Sequence, residues 1–466
     1  MHLKYCGAAA VVGGALLFAF QPEASAFLEK PYLQLGDAPE AADRLQVLWQ
    51  TADRDASWSL RYRERDADPW QVAPAPRMRR VALPGVSAHR IWRVDLAGLT
   101  PGVAFTYEVQ REGKTEFSAS ARARKSRDQA QQFVVFGDCG ANTSGQRAVA
   151  FHAYKTDPDF VMIPGDIVYS SGRISEYRSK FFPIYNADEA SPRTGAPLLR
   201  SHFFIAAPGN HDLLRRDLRS VPDILAYYLY WSQPLNGPAF TESDPNLPAL
   251  EATPQQAAAF LSAAGDAYPR MASFSFDYGG AHWTVLDSNP YIDWETPALV
   301  DWVKKDLAAA KDATWRFVAF HHPGFNSAKS HFGDQWMRVL SPVFEKGGVD
   351  VVFAGHVHNY QRTLPMTAVP KRRDGRRVDA EWTLDKQFDG VRNTQPRGII
   401  YLVTGAGGAN LYNREQQNDP SSWQPFTAKF IADRHSFTNV QIGGRKLSAQ
   451  QVGNDGKVID QFVITK

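Results

Sequence analysis

The sequence predicts a β-sandwich over residues 27–126 followed by a layered α/β domain over 130–466 that is organised around a central β-sandwich. Three observations predict it. A chain of 466 residues exceeds one ordinary core and divides into two or three packed units. Up to about residue 126 the apolar residues come in short, partly alternating runs separated by turn-rich stretches, the pattern of half-buried strands. From Phe133 onward the runs are continuous and apolar, most stop abruptly at a glycine and a polar residue, and helical patterns such as Thr296 to Lys311 lie between them.

Residues 1–26 read as a secretory signal. His2 and Lys4 give a weakly basic start, Cys6 to Phe20 is a small and apolar run, and Ala24-Ser25-Ala26 is an A-x-A cleavage pattern. Cleavage after Ala26 would leave a secreted or periplasmic protein that starts at Phe27, with no membrane segment in the mature form. Of the two cysteines only Cys139 would then remain, so no intramolecular disulfide is available and the core must hold the fold. Apolar residues make up 44% and charged residues 22%, as in a soluble globular protein. A net charge of +3 is too small for a dedicated nucleic-acid binder, so no nucleic-acid partner is expected. No internal repeat or low-complexity tract is evident.

In the first unit, Leu45 to Thr51, Trp58 to Arg63 and Ile91 to Leu96 read as strands. The stretch from Leu96 to Tyr107 ends one strand, turns at Thr100-Pro101-Gly102 and starts another, and it resembles the corner between the E and F strands of fibronectin type III modules. Arg122 to Asp128 is polar and serves as the linker. In the second unit, Phe133–Phe136, Phe160–Ile163, Phe203–Ala206, Trp315–Phe320, Val349–Phe353 and Ile399–Val403 read as buried strands, and three more close the chain at 437–442, 447–452 and 458–464. Two stretches break the pattern. Residues 221–270 contain the cluster Tyr227-Tyr228-Leu229-Tyr230-Trp231, and 365–397 contain the basic run Lys371 to Arg377 with Asp374-Gly375 at a hairpin turn. Segments of this length beside a site are read as lids or as surface decoration, and the basic run as solvated charge or a contact for an anionic group.

The polar residues at the ends of the apolar runs form a set. Asp138, Asp166, Tyr169, Asn210, His321, His356 and His358 supply seven nitrogen and oxygen ligands, all placed where layered sheets present ligand sites. Two metal ions that share one bridging carboxylate would use all seven. His356-x-His358 puts two imidazoles on one tight turn, each able to face a different ion. Cys139, between Asp138 and Gly140, reads as a small buried neighbour of a ligand rather than a catalytic thiol.

In that order, Gly137-Asp138-x-Gly140, Gly165-Asp166-x-x-Tyr169, Gly209-Asn210-His211-Asp212, Val318-x-x-His321 and Gly355-His356-x-His358 resemble the five-motif signature of purple acid phosphatases. The likeness covers nearly the whole mature chain. Lys30 to Gln34 resembles the opening of the family's N-terminal β-domain, and Thr404 to Gly408 the segment after its last central strand. Ordinary calcineurin-like phosphoesterases usually carry Asp-x-His as the first motif. Here Gly140 takes the histidine's place and Tyr169 appears in the second motif. Phenolate is a hard donor that favours Fe(III). The resemblance implies that Asp138, Tyr169 and His358 bind Fe(III). It implies that Asn210, His321 and His356 bind a divalent ion (Fe, Zn or Mn), and that Asp166 bridges the two. It further implies that His211 and His331 face the substrate phosphate. The partner of His331 in the family's histidine pair falls on Ser330, a departure that bears on leaving-group protonation.

The expected activity is hydrolysis of phosphate monoesters by a metal-bound hydroxide, without a covalent phosphoenzyme. Three anionic ligands against five metal charges leave about +2, which attracts a phosphate dianion. A trivalent ion keeps hydroxide available in acid. The rival readings are a phosphodiesterase or broad nucleotide hydrolase on the same site, and a binding protein whose sandwich is the working part.

Overall fold

A computed structural model describes residues 25–240 and 244–466; the expected signal segment falls almost wholly outside them. Among the described residues no helix is long and apolar enough to cross a membrane. The sandwich strands form where the sequence places them. Leu45–Ala52, Trp58–Arg63 and His89–Leu96 are strands, and Trp58–Arg63 alternates buried and half-buried positions as a one-sided strand must. Inside, the Trp49 ring lies 5.8 Å from Trp58 and 6.3 Å from Trp92.

One sandwich sheet is continuous with the second unit. A ten-stranded sheet runs from the closing strands through Gln131–Val135, Phe160–Pro164 and Phe203–Ala207 into Glu29–Gln34, Leu45–Ala52, His89–Leu96 and Arg77–Val81. The joint is a short parallel pairing of Gln34 with Phe204. The remaining sandwich strands form a separate four-stranded sheet. Arg124, inside the stretch expected to be a polar linker, is instead 1% exposed. Its guanidinium donates to the carbonyls of Ala38, Pro39, Ala41 and Asp277 at 2.6–2.7 Å, so it rivets the seam.

A seven-stranded sheet packs against the large one. Its strands Ala281–Val285, Trp315–Ala319, Val351–Ala354 and Ile400–Thr404 run parallel to each other. Aromatic rings fill the gap: Phe133 lies 5.0 Å from Trp283 and 5.7 Å from Phe317, and Phe160 lies 5.9 Å from Trp283. These runs are continuous and apolar because each strand is covered on both faces.

The two stretches that break the pattern resolve differently. Ile224 to Trp231 is neither lid nor decoration but core, packed against Tyr177 and Phe181. The Tyr227 hydroxyl donates to the carbonyls of Ala206 and Met271. Residues 366–384 do form a hairpin, of strands Met366–Asp374 and Arg377–Leu384. Asp374 pairs with Arg377, which moves the turn one residue on from the expected Asp374-Gly375 to Gly375-Arg376.

His282 gives the fold a pH dependence of its own. Its Nδ1 lies 2.7 Å from Asp277 and its Nε2 3.1 Å from Asp306. Burial alone would lower its pKa, but the two carboxylates prevail and raise it from 6.5 to about 9. A raised histidine contributes stability that is complete below about pH 6.5 and is lost as pH rises through about 9. The expected contribution is roughly 1–3 kcal/mol, discounted because Asp277 is half exposed. Urea denaturation of the wild type and His282→Gln at pH 6 and pH 9.5 checks it: the difference between them should be large at the lower pH and small at the higher one.

Candidate metal centre

All seven predicted ligands sit just beyond the carboxyl ends of parallel strands, three strands from the large sheet and two from the smaller. The site therefore spans one end of the central sandwich. Asp138, Asp166 and His356 have φ of 56°, 52° and 67°, so three of the seven hold left-handed backbone. Strain of this kind persists where surrounding structure over-determines it. The glycines of the motifs give the turns room. A Cβ on Gly209 would stand 2.2 Å from Asp166 Oδ1 and 2.3 Å from its backbone nitrogen.

The donor atoms fall into two groups. In one, Tyr169 Oη lies 3.1 Å from Asp138 Oδ1 and 3.0 Å from His358 Nε2, with His358 Nε2 3.4 Å from Asp138 Oδ1. In the other, His321 Nε2 lies 3.1 Å from Asn210 Oδ1 and 3.3 Å from Asp166 Oδ1. His356 stands beside the second group, its ring 5.0 Å from that of His321. The far nitrogens are held: His321 Nδ1 lies 2.9 Å from Pro164 O, and His358 Nδ1 2.6 Å from Asn410 O. Donation to those carbonyls fixes the tautomer and leaves each Nε2 lone pair toward the site. His356 is held through Nε2, 3.0 Å from Asp334 Oδ2, which leaves Nδ1 as its free donor.

The electrostatics suit cations. Asp138 and Asp166 are at most 1% exposed. Burial, with Asp138 and Asp166 next to it, pushes the Tyr169 phenol well above its usual range, so the phenol ionises only against a strong positive charge. His321 is raised to about 9: burial alone would lower it, and the Asp166 carboxylate outweighs that. Asp138, Asp166 and His321 each offer a ligand atom, all within 4.8 Å of one another. This hard oxygen and imidazole set fits two ions that share Asp166.

The comparisons agree with this geometry. Residues 132–360 match the family described as calcineurin-like phosphoesterase. A purple acid phosphatase structure from yellow lupin (Lupinus luteus) seeds shares the fold at a TM-score of 0.65, over 93% of this chain and 74% of that one, with 17% identity. A structure of PhoD shares it at 0.59, over 95% and 91%, with 12% identity. In Arabidopsis thaliana, purple acid phosphatase 21 is 26% identical over 331 residues, 70% of this chain and 59% of the relative. Residues 132–360 are thus a calcineurin-like phosphoesterase domain by sequence, and the chain resembles purple acid phosphatases in sequence and in fold. Another relative, purple acid phosphatase 18, is 31% identical over 159 residues, 33% of this chain and 31% of its own. The chain spans only about a third to three fifths of the length of these curated relatives.

The geometry also explains the departure at Gly140. A Cβ there would stand 2.1 Å from Ile167 O, so no side chain fits, and the Tyr169 phenol reaches Asp138 instead. Cys139 is fully buried, 3.6 Å from Ile167 O, and burial raises its thiol pKa, as expected of an inert neighbour.

His211 and His331 differ in their settings. His211 Nδ1 lies 2.6 Å from Ser170 O, and Nε2 3.8 Å from Asp166 Oδ2, so the ring leans over the junction between the two groups. His331, at φ 59°, puts Nδ1 3.2 Å from Asp334 Oδ2. Asp334 lies outside every motif the sequence displays. Its carboxylate ties His331 to His356 and meets Arg376 at 3.4 Å. The i, i+3 spacing from His331 is the one sequence signal that points to it. Tyr412, likewise outside them, stacks on His358 at 4.0 Å and 12°. Nothing in its surrounding sequence marks it.

Proposed function

We propose that this chain is a metallophosphoesterase with the activity of a purple acid phosphatase, hydrolysing phosphate monoesters at a dinuclear Fe(III)–divalent metal centre. The observation that carries the reading is the partition of the donors into an Asp138–Tyr169–His358 group and an Asn210–His321 group joined by Asp166. Bound there, the ions would supply the positive charge that draws in the phosphate and readies water for attack. The chain's own residues orient the reactants. The His321 and His358 rings are locked by backbone carbonyls, and His211 is aimed by Ser170 O. His211 Nε2 is left free to face a phosphate oxygen or the departing alkoxide and donates to either only once protonated, and His331 is steadied by Asp334.

The test is metal analysis of the purified protein with rates on p-nitrophenyl phosphate and bis(p-nitrophenyl) phosphate. Two metals and faster monoester turnover support the reading. Faster diester turnover would make it a phosphodiesterase on the same ligands.

Tyr169→Phe should abolish a visible phenolate charge-transfer band while the other ligands retain metal. A wild type that contains Fe(III) and has no such band would remove Tyr169 from the ligand set. Export with cleavage after Ala26 belongs to the same proposal, and N-terminal sequencing of the secreted protein should start at Phe27.

A further inference from the structure

A cavity of about 550 Å³ lies between the sandwich and the 231–271 stretch, away from the metal centre; none of the seven predicted ligands lines it, nor does His211 or His331. Its floor is one face of the sandwich sheet. The strands Leu45–Ala52 and His89–Leu96 bury Val47, Trp49, Trp92 and Val94 in the sandwich core. The alternate residues Leu48, Ile91 and Arg93, with Arg77 and Arg79 on the neighbouring edge strand, therefore face the other way and line the cavity. The opposite wall brings Trp231, Leu235, Ala267 and Met271.

The floor carries uncompensated charge. In the ladder Arg77 stands directly opposite Arg93, and Arg79 follows on the same face. Like charges opposite one another in a sheet destabilise it. Arg77 pairs with Asp95, which also accepts from Gln46. Arg79 donates only to the carbonyls of Leu229 and Ala264, which are uncharged. Arg93 is half-buried, and among the described residues its guanidinium has neither an ion pair nor a hydrogen bond. Burial first, then the charge of Arg77, lowers the Arg93 pKa, and burial brings that of Arg79 down to about 10. Both cations are therefore held under strain that an anion would relieve. With Arg44 the lining holds four guanidiniums against the three carboxylates of Asp37, Asp95 and Asp266. Of these, Asp37 also accepts from the Leu235 N–H at 3.0 Å. The excess of one positive charge fits a monoanion. A bare inorganic ion would leave the wall of Trp231 and Leu235 uncovered, and a cavity of this size suits a small organic molecule.

We propose that this cavity is a second binding site, for a small organic monoanion with an apolar body, an aryl or short alkyl carboxylate, with Arg93 as its anchor. The guanidinium fork grips a carboxylate through paired hydrogen bonds, Arg79 adds a second positive charge, and the body of the ligand covers the apolar wall. The site does not depend on the phosphatase reading, because it shares no residue with the metal centre.

The test is calorimetry on the full chain with 2-naphthoate, the neutral 2-naphthalenemethanol and acetate. 2-Naphthoate should bind at least about 10-fold more tightly than either of the others. Arg93→Gln should weaken it by about 10-fold or more, and Arg44→Gln, at an exposed position, by about two- to threefold. Arg93→Gln should melt no lower than the wild type, because it removes one of two opposed like charges; lost binding would then not report lost folding. 2-Naphthoate should raise the melting temperature of the wild type and not that of this variant. No binding of 2-naphthoate, equal affinity for acid and alcohol, or unchanged affinity in Arg93→Gln would overturn the site. So would competitive inhibition of p-nitrophenyl phosphate turnover with the same constant, which would place the carboxylate on the metals. If Arg93→Gln does not fold, an Arg44→Gln affinity equal to that of the wild type overturns it instead.

Discussion

Asp166→Asn is expected to lower kcat by on the order of 10³-fold or more and to release at least one metal ion. Asp166 is the single carboxylate placed between the two donor groups, 1% exposed, with Oδ1 3.3 Å from His321 Nε2 and 2.9 Å from the His211 backbone N–H. Any other ligand change would weaken one ion; this one withdraws a negative charge from both. Burial magnifies the loss, because no water can take the place of the missing charge. The backbone should tolerate the change. Asp166 holds φ of 52°, a conformation that asparagine adopts with little cost. An amide of the same size also keeps the close fit against Gly209. Loss of activity with an unchanged thermal unfolding curve would therefore report on the centre and not on folding. Two metals per chain and near-normal turnover in the purified variant would remove Asp166 from the bridging position and with it the dinuclear assignment.

Much of the site is legible in the sequence because each ligand follows a strand that is buried on both faces. Such strands are written as unbroken apolar runs. Their ends are sharp, and Phe160–Pro164 or Val351–Ala354 hand over at once to Gly165-Asp166 and Gly355-His356. What the sequence hides depends on distant partners. Arg124 looks like linker charge until four carbonyls from elsewhere in the chain close around it. Ile224 to Trp231 is too short in its helical turn to show a period, and its burial is fixed by Tyr177 and Phe181 from another segment. The sandwich strands join the large sheet at the short Gln34–Phe204 pairing, which leaves no mark in either run. Asp334 and Tyr412 belong to the centre only through contacts with His356, His331 and His358 across the fold.

His211→Ala is expected to lower kcat by roughly 10²-fold or more with the metal content intact. The imidazole is placed for chemistry and contributes little to the core. Its side chain is 34% exposed, it is steered by one hydrogen bond to Ser170 O, and its ring packs 4.5 Å from that of Tyr169. With Nδ1 donating to that carbonyl, the neutral ring has a bare Nε2. It must gain a proton there before it can give one to a departing alkoxide, or to a phosphate oxygen as charge builds up. Those two roles separate by leaving group. An aryl oxide departs without help, so proton donation predicts a small loss on p-nitrophenyl phosphate and a large one on an alkyl phosphate. Stabilisation of the phosphate itself predicts equal losses on both. His331→Ala should move in the same direction but less, because its family partner is Ser330 here and its Nδ1 is committed to Asp334. Measuring kcat for both substrates in both variants distinguishes these outcomes. No loss in either variant would leave the imidazoles outside the chemistry and the centre itself as the sole catalyst.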